Sequence, residues 1–171
     1  FNAGIKIFGG WSRGQNGQRS MSIFARGEYG DSKFDHPFFN QLGYDNFQAL
    51  VLRNSGQDWM RSSMKDIMLT SLMRGSGLDF QEHNPVATYI NGEYWGMYNL
   101  REKINEHMLA SKHNVDADDI TLLTNNAEEI EGSNEEYNQL IDYISSTDLT
   151  LDSNFEYVEQ QIDLNAYALY Q

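Results

Sequence analysis

The stretch Ala87-Thr88-Tyr89-Ile90-Asn91-Gly92-Glu93-Tyr94-Trp95-Gly96-Met97-Tyr98 predicts a β-hairpin. Asn91 and Gly92 stand between two alternating, aromatic-rich runs, and a type I′ turn needs two residues that tolerate a positive φ. These runs contain four aromatic side chains, those of Tyr89, Tyr94, Trp95 and Tyr98. We expect most of them to pack within the sheet. The alternative is an exposed surface that stacks on sugar rings or on a partner protein.

Three more strands are predicted before the hairpin. Residues 5–7 and residues 21–25 alternate apolar and polar side chains, and a Gly-rich loop, residues 9–17, separates them. Residues 48–52 form a short apolar run, which is typical of a strand buried on both faces. The first half of the chain is therefore expected to be rich in β-strands.

Helical spacing of apolar residues is found mainly in the second half of the chain. The exception is a methionine-rich stripe, residues 60–72, which we expect to be a helix packed into the core. A helix is also predicted over about residues 101–112, and capping patterns at Ser133, Ser153 and Asp163 predict three more. Strands that come first and helices that come after indicate the α+β class.

The composition excludes several classes of protein. The chain has 171 residues, 13% aromatic residues and no Cys, which excludes a disordered chain, a disulfide framework and thiol chemistry. Residues 1–100 carry nine basic and nine acidic side chains, whereas residues 101–171 carry three and sixteen. A basic footprint for nucleic acid is absent, and no apolar run reaches the ~18 residues of a transmembrane segment. We interpret the acidic half as a solvated surface; a surface for a basic partner is the alternative.

The Gly-rich loop is the candidate for chemistry that the residues themselves favour. No Walker A loop, Gly-x-Ser-x-Gly elbow or His-Glu-x-x-His motif occurs, and the four His share no metal-binding spacing. Glycines let backbone N–H groups approach a phosphate, and Ser12, Arg13 and Arg19 can add side-chain donors. The alternative is an ordinary flexible hairpin loop with two surface arginines.

Charged residues stand beside several apolar segments. Arg53 ends the apolar run 48–52, and Asp66 lies within the methionine-rich stripe. Arg101 and Glu102 follow directly after the hairpin. Such charges form either buried ion pairs, which offset the cost of desolvation, or a cluster that binds a ligand.

Four blocks of sequence together resemble the spore-coat protein H (CotH) kinase family. They are Gly9-Gly10-Trp11-Ser12-Arg13 with Gln18-Arg19-Ser20-Met21; Tyr29-Gly30 with His36-Pro37-Phe38-Phe39; Leu52-Arg53-Asn54-Ser55-Gly56-Gln57-Asp58-Trp59 with Lys65-Asp66; and Asn91-Gly92-Glu93-Tyr94-Trp95-Gly96-Met97-Tyr98-Asn99-Leu100-Arg101-Glu102-Lys103-Ile104. The last block matches the family pattern almost residue for residue. Two departures are Arg19, where the family has Lys, and Lys65, where it has Arg.

The resemblance implies an atypical protein-kinase-like fold that binds ATP and transfers its γ-phosphoryl group to Ser or Thr of a protein substrate, aided by Mg²⁺ or Mn²⁺. It places the phosphates at the Gly-rich loop, with Ser12, Arg13 and Arg19 as cofactor-binding residues. Glu102 is expected at the start of the helix after the hairpin, as the ion-pair partner of Arg19.

The resemblance also sets expectations for the protein as a whole. Residues 1–171 are expected to be one segment of a single kinase domain, truncated at both ends, with the catalytic and metal-binding acids beyond Gln171. On this interpretation the parent protein is the kinase and the segment alone is inactive. Its location is expected to be extracytoplasmic or at a bacterial cell surface, with no nucleic-acid partner. The alternative is a non-catalytic interaction or carbohydrate-associated module of the same fold.

Overall fold

Nine strands and six α-helices make up the computed structural model, which describes residues 1–171. The strands are β1 (Gly4–Ile7), β2 (Met21–Phe24), β3 (Phe34–Asp35), β4 (Asn46–Phe47), β5 (Ala49–Arg53), β6 (His83–Ile90), β7 (Glu93–Glu102), β8 (Leu122–Thr124) and β9 (Glu128–Glu131). The helices are α1 (Ser12–Gln15), α2 (Lys65–Ser71), α3 (Glu106–His113), α4 (Glu135–Ser146), α5 (Asp152–Gln161) and α6 (Leu164–Tyr170). The fold is α+β, as predicted.

An antiparallel five-stranded sheet in the order β1-β2-β5-β7-β6 organises the first 102 residues. The predicted hairpin is confirmed as β6 and β7, joined at Asn91 and Gly92 with φ of 52° and 84°. β7 also pairs with β5, so it lies inside the sheet and extends to Glu102. The three strands predicted before the hairpin are confirmed as β1, β2 and β5.

The hydrophobic core lies between one face of this sheet and the segment that contains β3 and β4. Its fully buried members are Ala25, Phe34, Phe39, Phe47, Leu50 and Leu100. Leu50 and Leu100 belong to the two central strands, and the phenylalanines contact one another edge to face. The opposite face of the sheet therefore stays available to α2 and to the Gly-rich loop.

Two helix predictions in the first 113 residues are wrong in detail. α2 is only seven residues long, and Met60, Met64 and Met68 are each more than half exposed, so Ile67 is the one fully buried residue of the methionine-rich stripe. The helix after the hairpin begins at Glu106, since the ladder with β5 keeps residues 101 and 102 in β7. The Asn105 side chain accepts a hydrogen bond from the Met108 N–H and caps this helix.

The acidic half is mainly helical, as predicted. The Asp163 side chain caps α6 by accepting from the Ala166 N–H. The pattern at Ser153 is not a cap, because α5 begins one residue earlier, at Asp152. The Ser133 hydroxyl accepts from the Glu135 N–H at the start of α4. None of the helices is both long enough and apolar enough to cross a membrane.

Candidate functional site

A cleft of about 420 Å³ separates the Gly-rich loop from α2 and the turn before it. One wall is Gly9, Gly10, Trp11 and Ser12, and the other carries the side chains of Arg53, Arg61, Lys65, Asp58 and Asp66. Gly9 has φ +105°, a conformation that glycine adopts at little cost. The Asn16 amide donates to the Gly56 carbonyl oxygen at 2.8 Å, which ties the loop to the opposite wall.

Gln18 fixes the end of the Gly-rich loop against the hairpin. Its amide nitrogen donates to the Met97 carbonyl oxygen at 2.7 Å, and its amide oxygen accepts from the Trp59 indole N–H at 3.1 Å. A Cβ on Gly96 would lie 2.9 Å from that amide nitrogen, so the contact requires a residue without a side chain. The Gly96 position in the hairpin therefore helps to place the loop wall of the cleft.

Asp58 positions the wall that carries Arg53, Arg61 and Lys65, called the basic wall below. One carboxylate oxygen accepts from the backbone N–H groups of Met64 and Lys65, both at 3.0 Å, and from the Ser62 hydroxyl at 2.5 Å. These hydrogen bonds, that of Ser62 first, lower the pKa of Asp58 below its usual value. The chain is thereby turned so that Lys65 begins α2 at the edge of the cleft.

Arg53, Asp66 and Arg101 form an ion-pair cluster, and Arg53 and Asp66 of this cluster line the cleft. Asp66 Oδ2 accepts from Arg53 Nε at 2.6 Å and from Arg101 Nη1 at 2.7 Å, while Arg101 Nη2 donates to the Thr70 hydroxyl at 3.0 Å. Burial lowers the pKa of Arg101, although Asp66 acts in the opposite direction. The ion pairs therefore form, but only Arg101 is buried, whereas the side chains of Arg53 and Asp66 are about one quarter exposed.

The charged residues of the cleft carry one excess positive charge. Three basic and two acidic side chains lie on one wall, in a chain whose net charge is −13. The opposite wall offers backbone N–H groups and the Ser12 hydroxyl. Neutral and cationic hydrogen-bond donors in a partly enclosed cleft suit the oxygens of a phosphate chain.

The structure brings only part of the predicted site together. Ser12 lines the cleft, and Arg13 follows it in α1 with an exposed side chain. Arg19 lies outside the cleft: its side chain is exposed, and its carbonyl oxygen accepts from the Tyr98 hydroxyl. Arg61 and Lys65 were not among the predicted site residues. Asp58 accepts from the backbone N–H groups of Met64 and Lys65, six and seven residues later, a spacing that no local capping pattern signals.

The expected ion pair between Arg19 and Glu102 does not form. Glu102 is the last residue of β7 and lies level with Ile23, four residues after Arg19 and two strands away. Four residues of strand span about 13 Å, which no ion pair bridges. Glu102 was expected at the start of a helix. It lies outside the cleft because β7 pairs with β5 as far as Glu102.

Glu102 instead belongs to a buried network at the other end of the sheet. Its carboxylate accepts from the Tyr44 hydroxyl and from the Glu82 backbone N–H, and the Lys112 ammonium lies 3.5 Å away. Burial, followed by the hydrogen bond to Glu102, raises the pKa of Tyr44. These contacts join α3 to β7 and leave Glu102 at the wall of a different cavity, of about 350 Å³.

The chain offers no cluster of side chains for a divalent metal. Nowhere do three or more His, Asp or Glu side chains converge as ligands. The residues of this chain therefore do not fit a divalent metal by themselves.

The hairpin aromatics are mostly exposed, contrary to the prediction. Tyr98 is buried, but Tyr89, Tyr94 and Trp95 are 63%, 58% and 50% exposed. Tyr89 and Tyr94 are cross-strand partners whose rings meet edge to face at 5.6 Å. The strands continue past the part of the sheet that other elements cover, so the Tyr89 and Tyr94 rings contact each other and not the core.

One comparison with known proteins gives a match. The family model described as CotH kinase protein matches residues 5–171, almost the whole chain. No curated protein and no solved structure matches the chain.

Proposed function

The chain belongs to the CotH kinase family, and from that premise we propose that it carries the nucleotide-binding half of an ATP-dependent protein kinase domain. The observation that carries this proposal is the cleft between the Gly-rich loop and the basic wall of Arg53, Arg61 and Lys65. ATP is the cosubstrate, and the acceptor is a Ser or Thr hydroxyl of a secreted or surface protein.

The roles of the cleft residues follow from the chemistry of the transfer. The oxygen of the acceptor hydroxyl forms a bond to the γ-phosphorus while the bond from that phosphorus to the β–γ bridging oxygen breaks; ADP leaves, and the hydroxyl proton is released to solvent. Such a reaction depends on positioning and on neutralising the phosphate charge. We assign hydrogen bonding of phosphate oxygens to the Gly9–Ser12 wall, and charge neutralisation to Arg53 and Lys65.

Arg13 and Arg19 are proposed as accessory phosphate contacts. Both side chains are exposed, that of Arg13 directly after the cleft residue Ser12 and that of Arg19 at the end of the loop, outside the cleft. Arg19 stands at the position of the family's Lys, but its guanidinium is longer and planar, so the contact it makes differs in geometry. Glu102 is assigned to the support of α3, through the contacts with Tyr44 and Lys112.

Calorimetric titration of ATP with Mg²⁺ into the 171-residue chain tests the proposal. Lys65→Gln removes one charge from the basic wall, and Lys6→Gln is the matched control on β1, away from the cleft. A charge-assisted hydrogen bond contributes about 1.5–3 kcal/mol, so we expect Lys65→Gln to weaken ATP at least tenfold. Equal affinity in wild type and Lys65→Gln contradicts the proposed cleft.

A second candidate function rests on the exposed hairpin aromatics. Tyr89, Tyr94 and Trp95 together present an aromatic surface that suits stacking on sugar rings or on a partner protein. On this alternative the chain is a non-catalytic module displayed at a surface. Trp fluorescence during titration with soluble oligosaccharides tests it: a saturable change that Trp95→Ala abolishes supports the module, and no change in the wild type contradicts it.

A further inference from the structure

Four polar side chains next to the cleft are almost completely buried. Ser20, Asn54, Ser55 and Asn99 are between 1% and 6% exposed. A buried polar group without a partner is costly, so each of these residues is expected to have hydrogen-bond partners. Asn54 itself does not line the cleft, although Arg53 before it and Ser55 after it do.

The side-chain amide of Asn54 bonds to residues from both sides of the cleft. Its nitrogen donates to the Gln18 carbonyl oxygen, at the end of the Gly-rich loop. Its oxygen accepts from the Gly56 N–H at 3.0 Å and from the Ser20 hydroxyl at 2.9 Å. Ser20 in turn accepts from the Asn54 backbone N–H at 3.0 Å. An amide supplies a donor and an acceptor on two separate atoms, which neither an ionised carboxylate nor a hydroxyl does.

Gly56, in the turn that follows β5, is held from two directions. Its N–H donates to Asn54, and its carbonyl oxygen accepts from the Asn16 amide of the Gly-rich loop. Ser55 and Gly56 have φ of 67° and 58°, and this conformation costs a serine free energy. The Ser55 hydroxyl stabilises it by donating to the Ser63 carbonyl oxygen at 2.7 Å. The loop and the turn are therefore joined by two side-chain amides.

We propose that Asn54 is a positioning residue for ATP binding, which sets the separation between the Gly-rich loop and the basic wall without touching the nucleotide. This role rests on the proposed function, since it requires that ATP bind in the cleft. A phosphate chain that contacts both walls needs them at a fixed distance, because hydrogen bonds weaken as donor and acceptor move apart. Asn54 therefore acts through the backbone N–H groups of the loop and through Lys65.

Calorimetric titration of ATP with Mg²⁺ into the Asn54→Asp variant tests this role. Asp has the same shape as Asn and keeps the acceptor for Gly56, but its ionised carboxylate does not donate to the Gln18 carbonyl oxygen. The matched control is Asn40→Asp, at an exposed position between β3 and β4. We expect ATP affinity to fall about tenfold in Asn54→Asp and to stay unchanged in Asn40→Asp. Equal affinity in Asn54→Asp and the wild type overturns the proposal.

Backbone ¹H–¹⁵N spectra during the same titration distinguish positioning from a general loss of structure. Asn54→Asp removes the hydrogen bond to the loop but keeps the one from Gly56. We therefore expect the ATP-induced shifts of the Gly10 and Ser12 amides to shrink, while that of the Lys65 amide persists. Shifts that shrink equally on both walls overturn the proposal.

The Ser20→Ala variant is the second test, and it decides the question if circular dichroism shows that Asn54→Asp does not fold. It removes the hydroxyl that orients the Asn54 amide, and it adds no charge. We expect Ser20→Ala to bind ATP about threefold more weakly than the wild type, and unchanged affinity overturns the proposal. A wild-type chain without saturable ATP binding overturns the proposed function as well, whereas wild-type binding that Asn54→Asp leaves unchanged overturns only the role of Asn54.

Discussion

Replacing Asp66 by Ala removes the carboxylate that Arg53 and Arg101 share. The expected loss in the free energy of unfolding follows from the contacts of that carboxylate. Two short charged hydrogen bonds disappear, one from Arg53 Nε at 2.6 Å and one from Arg101 Nη1 at 2.7 Å. Breaking a buried ion pair by removing one partner costs about 3–5 kcal/mol. Asp66 and Arg53 are about one quarter exposed, so solvent screening moves the estimate to the low end, about 3 kcal/mol.

Urea unfolding at pH 7, followed by Trp fluorescence, measures this loss. We expect Asp66→Ala to lower the free energy of unfolding by about 3 kcal/mol, a factor of about 100 in the folding equilibrium. The exposed Asp31→Ala is the control and should change it by less than about 0.5 kcal/mol.

A second substitution distinguishes an uncompensated charge from a packing defect. Adding Arg101→Met to Asp66→Ala removes the guanidinium that was left without a counter-charge and keeps an unbranched side chain in its place. We expect the double variant to be more stable than Asp66→Ala alone, because an apolar replacement tolerates burial. A cost below about 0.5 kcal/mol for Asp66→Ala, or a double variant less stable than the single one, would refute the reasoning.

Three more predictions concern Gly96, His83 and Asp58. Gly96→Ala forces a Cβ to within 2.9 Å of Gln18 at a φ of +140°, so we expect a lower melting temperature and weaker ATP binding, whereas Gly43→Ala, with open space around it, should change neither. Burial lowers the pKa of His83, so the stability that neutral His83 contributes is present above its usual pKa of 6.5 and is lost as the pH falls from 6.5 toward the pKa in the folded state. The His83→Gln variant should therefore show a free energy of unfolding in urea that depends less on pH between about pH 7.5 and pH 5.5. An unchanged pH dependence contradicts the assignment. Hydrogen bonds lower the pKa of Asp58, so the stability that ionised Asp58 contributes is present above its usual pKa of 3.8 and is lost as the pH falls through the pKa in the folded state. The Asp58→Asn variant should have a lower melting temperature than the wild type at pH 7 and a similar one near pH 2. Equal melting temperatures at pH 7 would show that the Asp58 hydrogen bonds to the Met64 and Lys65 N–H groups do not stabilise α2.

Local sequence signals were sufficient to predict the strands of the five-stranded sheet. Asn91 and Gly92 define the hairpin by turn chemistry alone, and period-two alternation identifies β1 and β2 without any knowledge of their partners. The four-block resemblance identified the family, and the match over residues 5–171 confirms it. These features depend on residues that are close to one another in sequence, so they can be recognised from a single sequence.

The errors concern residues whose surroundings are set by distant parts of the chain. Glu102 has a helix-like sequence after it, yet its conformation is decided by pairing with Leu50, fifty-two residues earlier. The methionines of residues 60–68 have helical spacing, which led to the prediction that they are buried. The side of α2 that contacts the sheet is instead the side of Asp66, because Asp66 forms ion pairs with Arg53 and Arg101. Spacing alone does not show which face of a short helix is covered.

The central claim is that ATP phosphates bind between the Gly-rich loop and the basic wall. Backbone ¹H–¹⁵N spectra of the 171-residue chain, recorded during titration with ATP and Mg²⁺, test it residue by residue. We expect saturable shifts of the Gly9, Gly10 and Ser12 amides together with those of Gly56 and Lys65. Shifts confined to the Glu102 and Met108 end of the sheet, or no saturable shift in any of these amides, would contradict the claim.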